Sequence, residues 1–157
     1  MSLNSKLPAL SSQQAIEILK KLAAKRNISL GRMSQIDLMV TLTAVSVCLP
    51  SSVKLSEKQV NSLLQEWLAN TGSMLRIDHV ELRRSLIDYG FWQRDPFGRE
   101  YWRSEEAPDS PLTTYLRAFS EIDPAQLLAK HRSELSAERA KRKSLAVDLR
   151  IVSSQKD

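Results

Sequence analysis

The spacing of apolar residues predicts a chain built mainly of helices. The first segment with a helical period opens with Ser11 and Gln14, a pair that can form a capping box, and we expect this amphipathic helix to end near Asn27. The next apolar segment, 36–49, is hydrophobic almost all round and stops at Pro50. Its length and the proline favour a buried helix over a strand.

Two further helices are marked by capping residues. Ser56 precedes a helix that we expect over Gln59–Asn70, and Asp78 caps another over Asp78–Tyr89 that ends at Gly90, a residue suited to the left-handed C-terminal position. The apolar faces of these two helices have only each other and the 36–49 helix to pack against. We therefore expect four of their residues to be buried together: Leu64, Trp67, Leu82 and Leu86.

After these helices the period of the pattern changes to two. Phe91–Arg94 and Glu100–Arg103 are short, aromatic-rich runs separated by Asp95–Gly98, whose proline and glycine favour a turn. With a short extended piece at Ser51–Leu55, the order is helix, strand, helix, helix, hairpin. That order is typical of a winged helix-turn-helix. We predict an α+β fold, mainly α with a small β-hairpin, in which a winged helix-turn-helix core carries N- and C-terminal helical extensions.

The C-terminal third is predicted to be helical as well. One helix starts at Ser110 and Pro111, and another starts at Asp123 and becomes largely charged from Lys130 onward, so it should be solvated. Ser153–Asp157 are expected to be disordered. The resulting division is a basic amphipathic helix at 1–33, a winged-helix-like domain at 34–104 and a helical extension at 105–157.

Three sequence blocks in the predicted core carry a resemblance to a known family. They are Leu55–Asn61, Leu82–Gly90 and Arg94–Arg103, in which a Leu-Arg-Arg helix ends in Asp-Tyr-Gly and an Arg-Asp-x-x-Gly hairpin follows. Over about residues 36–103 the chain resembles domain of unknown function 2087, a prokaryotic family found in hypothetical proteins and in some transcriptional regulators. The resemblance implies a winged-helix-like fold and no particular activity.

Composition argues against several classes of protein. The 157 residues include one cysteine, Cys48, and two histidines, His79 and His131, which lie far apart without further ligands at metal-binding spacing. The chain has no glycine-rich phosphate loop, no apolar run long enough to span a membrane and no signal-peptide pattern near Met1. We therefore expect a cytoplasmic protein that is not an enzyme and needs no metal or cofactor.

Charge is unevenly distributed along the chain, whose formal net charge is +5. Both ends are basic and the middle is roughly neutral. A basic balance permits nucleic-acid binding through phosphate neutralisation, but a charge of this size is also ordinary for a soluble protein.

The helix over Asp78–Tyr89 contains adjacent arginines that we expect to differ. Successive helical residues are 100° apart, which places Arg83 within the apolar arc, beside an acid or a backbone carbonyl, and leaves Arg84 on the outer face. The outer face also carries Glu81 and Asp88, so this helix alone is a poor reader of DNA. The apolar arc is expected to comprise Val80, Leu82, Leu86, Ile87 and Tyr89.

The candidate nucleic-acid contacts lie on this helix, on the hairpin and near the C-terminus. The hairpin arginines can bind phosphate, or they can pair with the hairpin's own acids, Asp95 and Glu100. The basic cluster near the C-terminus is more often a solvated helix face than a nucleic-acid arm. The candidate residues are Arg84, Ser85, Arg94, Arg99, Arg103, Arg139, Lys141, Arg142 and Lys143.

DNA binding by a transcriptional regulator is the first functional hypothesis. The alternative is a non-enzymatic protein-interaction module, in which the hairpin and the helix over Asp78–Tyr89 dock on a protein partner and the extra helices mediate homodimerisation. The distribution of basic side chains distinguishes them: gathering on one face favours DNA, whereas scattering or pairing with acids favours the interaction module.

Overall fold

The computed structural model describes residues 9–104 and 110–155, with side chains described as far as Ile151. It is mainly helical with one small antiparallel sheet, which confirms the predicted α+β class. The elements in chain order are α1 (Ser12–Ala23), a short 3-10 turn (Leu30–Arg32), α2 (Gln35–Ser46), β1 (Leu55–Ser56), α3 (Glu57–Ala69), α4 (His79–Asp88), β2 (Trp92–Arg94), β3 (Glu100–Arg103), α5 (Pro111–Ala118) and α6 (Pro124–Gln155).

The predicted capping residues start their helices. In α3, the hydroxyl of Ser56 accepts a hydrogen bond from the backbone N–H of Gln59, whose side-chain carbonyl accepts from the backbone N–H of Ser56. The same reciprocal pair forms at Ser11 and Gln14 of α1, and Asp78 caps α4. Each cap satisfies backbone donors that the first helical turn leaves without partners, so the sequence locates these helix starts well.

The end of α1 differs from its prediction. The helix stops at Ala23 rather than near Asn27, which adopts a left-handed conformation with φ +56°. The chain then turns alongside a distant segment: the N–H of Ile28 donates to Met74 O at 2.9 Å, and the N–H of Arg76 donates to Ile28 O at 2.8 Å. Hydrogen bonds to a segment that is remote in sequence thus replace a last helical turn.

The sheet has three strands in the order β1-β3-β2, all antiparallel. Leu55 of β1 pairs with Tyr101, and Trp92 of β2 pairs with Arg103. The hairpin was predicted, but β1 was expected only as an extended piece and not as its third strand. Pairing with β1 covers one edge of the hairpin and ties it to the start of α3.

The core joins α2, α3 and α4, as predicted. Leu64, Leu82 and Leu86 are completely buried, and Trp67 is nearly so. They belong to one contiguous cluster that includes the apolar residues of α2 from Met39 to Val45, and every residue of this helix after the first four is buried. This explains why α2 is apolar all round, because it is covered on every side.

The prediction is wrong for one residue of the apolar arc of α4. Val80 is 40% exposed, whereas Leu82 and Leu86 are buried. Val80 lies near the start of α4 and faces an open cleft between this helix and the hairpin, so no core residue covers it. Helical periodicity gives the angle of a side chain but not what is packed opposite it.

α6 extends further than predicted. Ser153–Gln155 continue the helix and are not disordered as expected, while the last two residues lie outside the described part of the chain. After Pro124 the helix contains neither glycine nor proline, so no residue interrupts its hydrogen bonds.

Within the described ranges, none of the helices combines the length and hydrophobicity needed to cross a bilayer.

Candidate nucleic-acid interface

An exposed cleft between α4 and the hairpin contains two of the predicted site residues. Arg84 reaches it from α4 and Arg94 from β2, and both side chains are exposed. The cleft has a volume of about 280 Å³. It is lined by Val80, Arg83, Arg84, Ile87, Asp88, Arg94 and Tyr101.

Strand register explains how Arg94 comes to face α4. Arg94 is paired with Tyr101 across the hairpin, and side chains of paired residues lie on the same face of a sheet. Tyr101 is buried against the core, so Arg94 at the end of the shorter strand is directed toward the same side. The Nη1 atom of Arg94 and the hydroxyl oxygen of Tyr101 both lie close to Gly98. They are 3.6 and 3.8 Å from the position that a Cβ would take on this glycine. The tight turn at Gly98, whose φ is +67°, leaves room for the guanidinium.

The acids of the hairpin have other partners than its arginines. Asp95 Oδ1 accepts hydrogen bonds from the backbone N–H groups of Arg99 at 2.6 Å and Glu100 at 3.0 Å. These bonds, chiefly that from Glu100, lower the pKa of the Asp95 carboxyl, and the positive charge of Arg99 lowers it further. Glu100 itself lies 4.0 Å from Lys54 Nζ. Among the described residues, no hairpin arginine therefore forms an ion pair with Asp95 or Glu100, although Arg99 lies near enough to Asp95 for its charge to act on that carboxyl.

Among the described residues, neither Arg84 nor Arg94 has a carboxylate within ion-pair distance. Asp88 lines the same cleft and reduces its positive charge without contacting either guanidinium. Arg99 is exposed in the turn, where its guanidinium lies 5.5 Å from the ring centre of Phe97. Arg84 and Arg94 are therefore free to contact an anionic ligand.

Arg83 has the structural role predicted for it. Its guanidinium forms an ion pair with Glu57 at 3.2 Å and donates a hydrogen bond to Asn61 Oδ1. It also stacks over Tyr101, 5.5 Å from the ring centre, and its side chain is only 17% exposed. Arg83 thus connects α3, α4 and β3, and supports the cleft from beneath.

We expect Arg83→Ala and Arg84→Ala to differ in their effect on stability. Loss of Arg83 removes packing on Tyr101 and leaves Asn61 without its donor, which should lower the free energy of unfolding by about 1–3 kcal/mol. Glu57 is half-exposed, so the ion pair contributes little of this. Loss of the exposed Arg84 side chain should lower the free energy of unfolding by less than about 0.5 kcal/mol. Urea unfolding of both variants measures the difference, and an equal loss would contradict the assignment.

Other predicted site residues lie away from this cleft. Ser85 is half-buried and does not line it, because it follows Arg84 by 100° around α4. Arg103, at the far end of β3, lines a separate cavity of about 490 Å³ together with Cys48, Trp67 and Asp123. The three hairpin arginines therefore do not share one surface.

The C-terminal basic cluster also lies elsewhere. Arg139 lines a third cleft, between α6 and the end of α1, while Lys141, Arg142 and Lys143 are exposed along α6. Sequence reasoning treated the four as one patch, but a helix distributes consecutive residues around its axis. It also missed Tyr101 as a wall of the α4–hairpin cleft, although Tyr101 lies opposite Arg94 in the hairpin and therefore on the same face of the sheet.

The described part of the chain has no group of three or more His, Cys, Asp or Glu side chains placed to hold a metal ion. His79 lies 3.4 Å from the side-chain nitrogen of Gln65, a contact between α4 and α3. His131 is half-buried on α6.

Comparison with known proteins identifies the central segment. Residues 33–103 match the family model described as "Uncharacterized protein conserved in bacteria (DUF2087)". No curated protein and no solved structure matches the chain. The matched segment runs from just before α2 to the end of β3, and thus includes α3, α4 and the whole sheet. The segment from 33 to 103 is therefore similar to the DUF2087 family of bacterial proteins, the family that its motifs predicted.

Proposed function

We propose that this chain is a non-enzymatic, cytoplasmic DNA-binding protein, a transcriptional regulator whose segment 34–104 acts as a winged-helix domain. In this proposal α4 enters the major groove and the β2–β3 hairpin is the wing. The order α2-β1-α3-α4-β2-β3, with β1 at the sheet edge beside β3, supports it.

One observation carries the proposal. Arg84 and Arg94 come from two different elements, line one exposed cleft, and have no ion-pair partner in the described ranges, whereas the neighbouring Arg83 is neutralised by Glu57. Two unpaired guanidinium groups can bind successive phosphates of one strand. Arg99 at the exposed turn extends the contact in the direction of the wing tip.

Val80 suits this arrangement despite its unexpected position. An apolar side chain that is 40% exposed beside Arg84 on α4 is placed to contact a thymine methyl group in the major groove. Glu81 and Asp88 are exposed on the same helix, so phosphate attraction must come mainly from the arginines of the cleft.

The test is binding to duplex DNA of mixed sequence, followed by fluorescence anisotropy at 50–200 mM salt. Phosphate contacts release counterions, so affinity should fall steeply with salt. For Arg84→Gln/Arg94→Gln we expect a salt slope reduced by about two units and binding about 60-fold weaker at 0.1 M salt, since each contact contributes about 0.9 to the slope.

The matched control is Arg32→Gln/Arg117→Gln, which makes the same change in net charge at two exposed arginines outside the cleft. It should bind nearly as the parent does. Salt-independent binding by the parent, or unchanged affinity in the cleft variant, would refute the proposal.

Two other observations favour the protein-interaction alternative. The predicted basic residues are distributed over separate clefts rather than gathered on one face. The end of α6 exposes four large apolar side chains, at 49% to 68%: Leu145, Val147, Leu149 and Ile151. Such residues are typical of a surface that a second copy or another protein covers. Sedimentation of the full chain tests the homodimer form of this alternative. If the chain is monomeric at about 100 μM, its self-association is too weak to support a homodimer.

A further inference from the structure

The cleft between α1 and α6 gathers basic residues that are distant in sequence. Lys25 and Arg26, just beyond the end of α1, face Arg132 and Arg139 of α6 across a space of about 500 Å³. The turn between α3 and α4 closes one side with Ser73 and Met74. No acidic residue is among the described residues that line this cleft.

Arg132 is held in the cleft without losing its charge. Its guanidinium donates hydrogen bonds to the backbone carbonyls of Asn70 at 2.9 Å and Thr71 at 3.0 Å, at the end of α3. Partial burial lowers its pKa, but an arginine remains protonated in any ordinary solution. Because these acceptors are neutral, they orient the guanidinium and leave its positive charge for a ligand.

The basic residues continue along one side of α6. At 100° per residue, Arg139, Lys143 and Arg150 lie within about 20° of the line through Arg132. We call these four residues the α6 stripe. Its length is about 27 Å, at a rise of 1.5 Å per residue. Arg139, Lys143 and Arg150 are exposed, and Arg132 is half-buried at the end nearest the core.

The acids of α6 lie on its opposite side. Glu134, Glu138 and Asp148 are about 160–240° from the stripe. They are therefore beside other cations: Glu138 is three and four residues before Lys141 and Arg142, the spacing at which side chains meet on a helix. No residue of the stripe has an acid three or four positions away on α6.

We propose that the α6 stripe, with Lys25 and Arg26, binds the phosphodiester backbone of a nucleic acid. A stripe of about 27 Å is far longer than one phosphate group and suits a repeating anion. Leu145 and Leu149 are about 220° and 260° from Arg132, on another side of the helix, whereas Val147 and Ile151 are about 60° and 100° from it and border the stripe.

This site shares no lining residue with the α4–hairpin cleft. It depends on the proposed function only in taking nucleic acid as the ligand. It also divides the C-terminal basic cluster: Arg139 and Lys143 contact phosphate, whereas Lys141 and Arg142 lie on the side of α6 that carries Glu138.

That division supplies a matched pair of variants. Arg139→Gln/Lys143→Gln removes one arginine and one lysine from the stripe, and Lys141→Gln/Arg142→Gln removes one of each from the other side of the same helix. Both pairs are exposed, so neither should disturb the core, and circular dichroism checks that α6 keeps its helicity. The full chain is titrated with mixed-sequence 30-bp duplexes of DNA and of RNA.

We expect the stripe variant to bind about 60-fold more weakly at 0.1 M salt, with a salt slope reduced by about two units, as for two lost phosphate contacts. The control should lose no more than about threefold. Equal losses in the two variants would mean that net charge alone acts and would overturn the proposal, as would no loss in either.

The variant Arg84→Gln/Arg94→Gln in the same titrations separates this site from the α4–hairpin cleft. If only the stripe variant binds more weakly, the stripe is supported and the cleft is refuted. If only the cleft variant binds more weakly, the cleft is supported and the stripe is refuted. Stripe-dependent binding of RNA with no binding of DNA supports the stripe and refutes the proposed DNA-binding function.

Discussion

Leu86→Ala is expected to lower the free energy of unfolding by about 2–5 kcal/mol, the largest loss of stability that we predict for this chain. Leu86 is completely buried in α4 and belongs to the same core cluster as Leu64, Trp67 and Leu82. Truncation removes apolar surface from a place enclosed by α2 and α3, where neighbouring helices are too constrained to fill the space. Urea unfolding monitored by circular dichroism measures the loss.

Leu145→Ala is the control for this substitution, because it makes the same chemical change on α6 at a side chain that is 56% exposed. It should change the free energy of unfolding by less than about 0.5 kcal/mol. An unchanged midpoint for Leu86→Ala would show that α4 does not pack as the structure has it.

Cys48 is expected to react with a thiol reagent at pH 8 about two to three orders of magnitude more slowly in the folded protein than in 6 M guanidinium chloride. Burial raises the pKa of its thiol to about 12, although Arg103 near it acts in the opposite direction. The thiolate is the reactive form, so the folded protein presents far less of it. The chain has no other cysteine, and the unfolded protein therefore serves as its own control.

The same shift predicts how stability depends on pH. The unfolded thiol ionises near its ordinary pKa of 9.0, whereas the folded thiol keeps its proton to about pH 12. Between these values the unfolded state binds fewer protons, so the contribution of Cys48 to stability is present below pH 9 and declines as pH rises through this window. Equal labelling rates for the folded and unfolded protein would show that the thiol is accessible and would contradict both expectations.

Local sequence rules located most of the helices because the responsible interactions span only a few residues. The Ser56–Gln59 capping box and the Asp78 cap were recognisable at a spacing of three, and Gly90 marked the end of α4 with φ +82°. The hairpin turn was equally local, since Asp95 accepts hydrogen bonds from the backbone four and five residues later. The angle between successive helical residues was also enough to predict that Arg83 packs against the core and that Arg84 is exposed.

Long-range packing decided the features that sequence reasoning missed. β1 joins the hairpin because Leu55 meets Tyr101, a pairing across 46 residues that no local pattern specifies. α1 ends early because Ile28 bonds to the segment after α3. Val80 has the helical angle of a core residue, but the space opposite it is open, and only the positions of neighbouring elements determine that.

The sequence by itself determined the fold class, the caps, the hairpin turn and the difference between the adjacent arginines of α4, because each follows from backbone geometry within a few residues. Only the tertiary structure decided which basic residues share a surface. It brought Arg84 and Arg94 to one cleft, sent Arg103 to another cavity, and joined Lys25 and Arg26 to Arg132 and Arg139 across more than 100 residues. Charges act through space, and distance along the chain therefore says little about which of them act together.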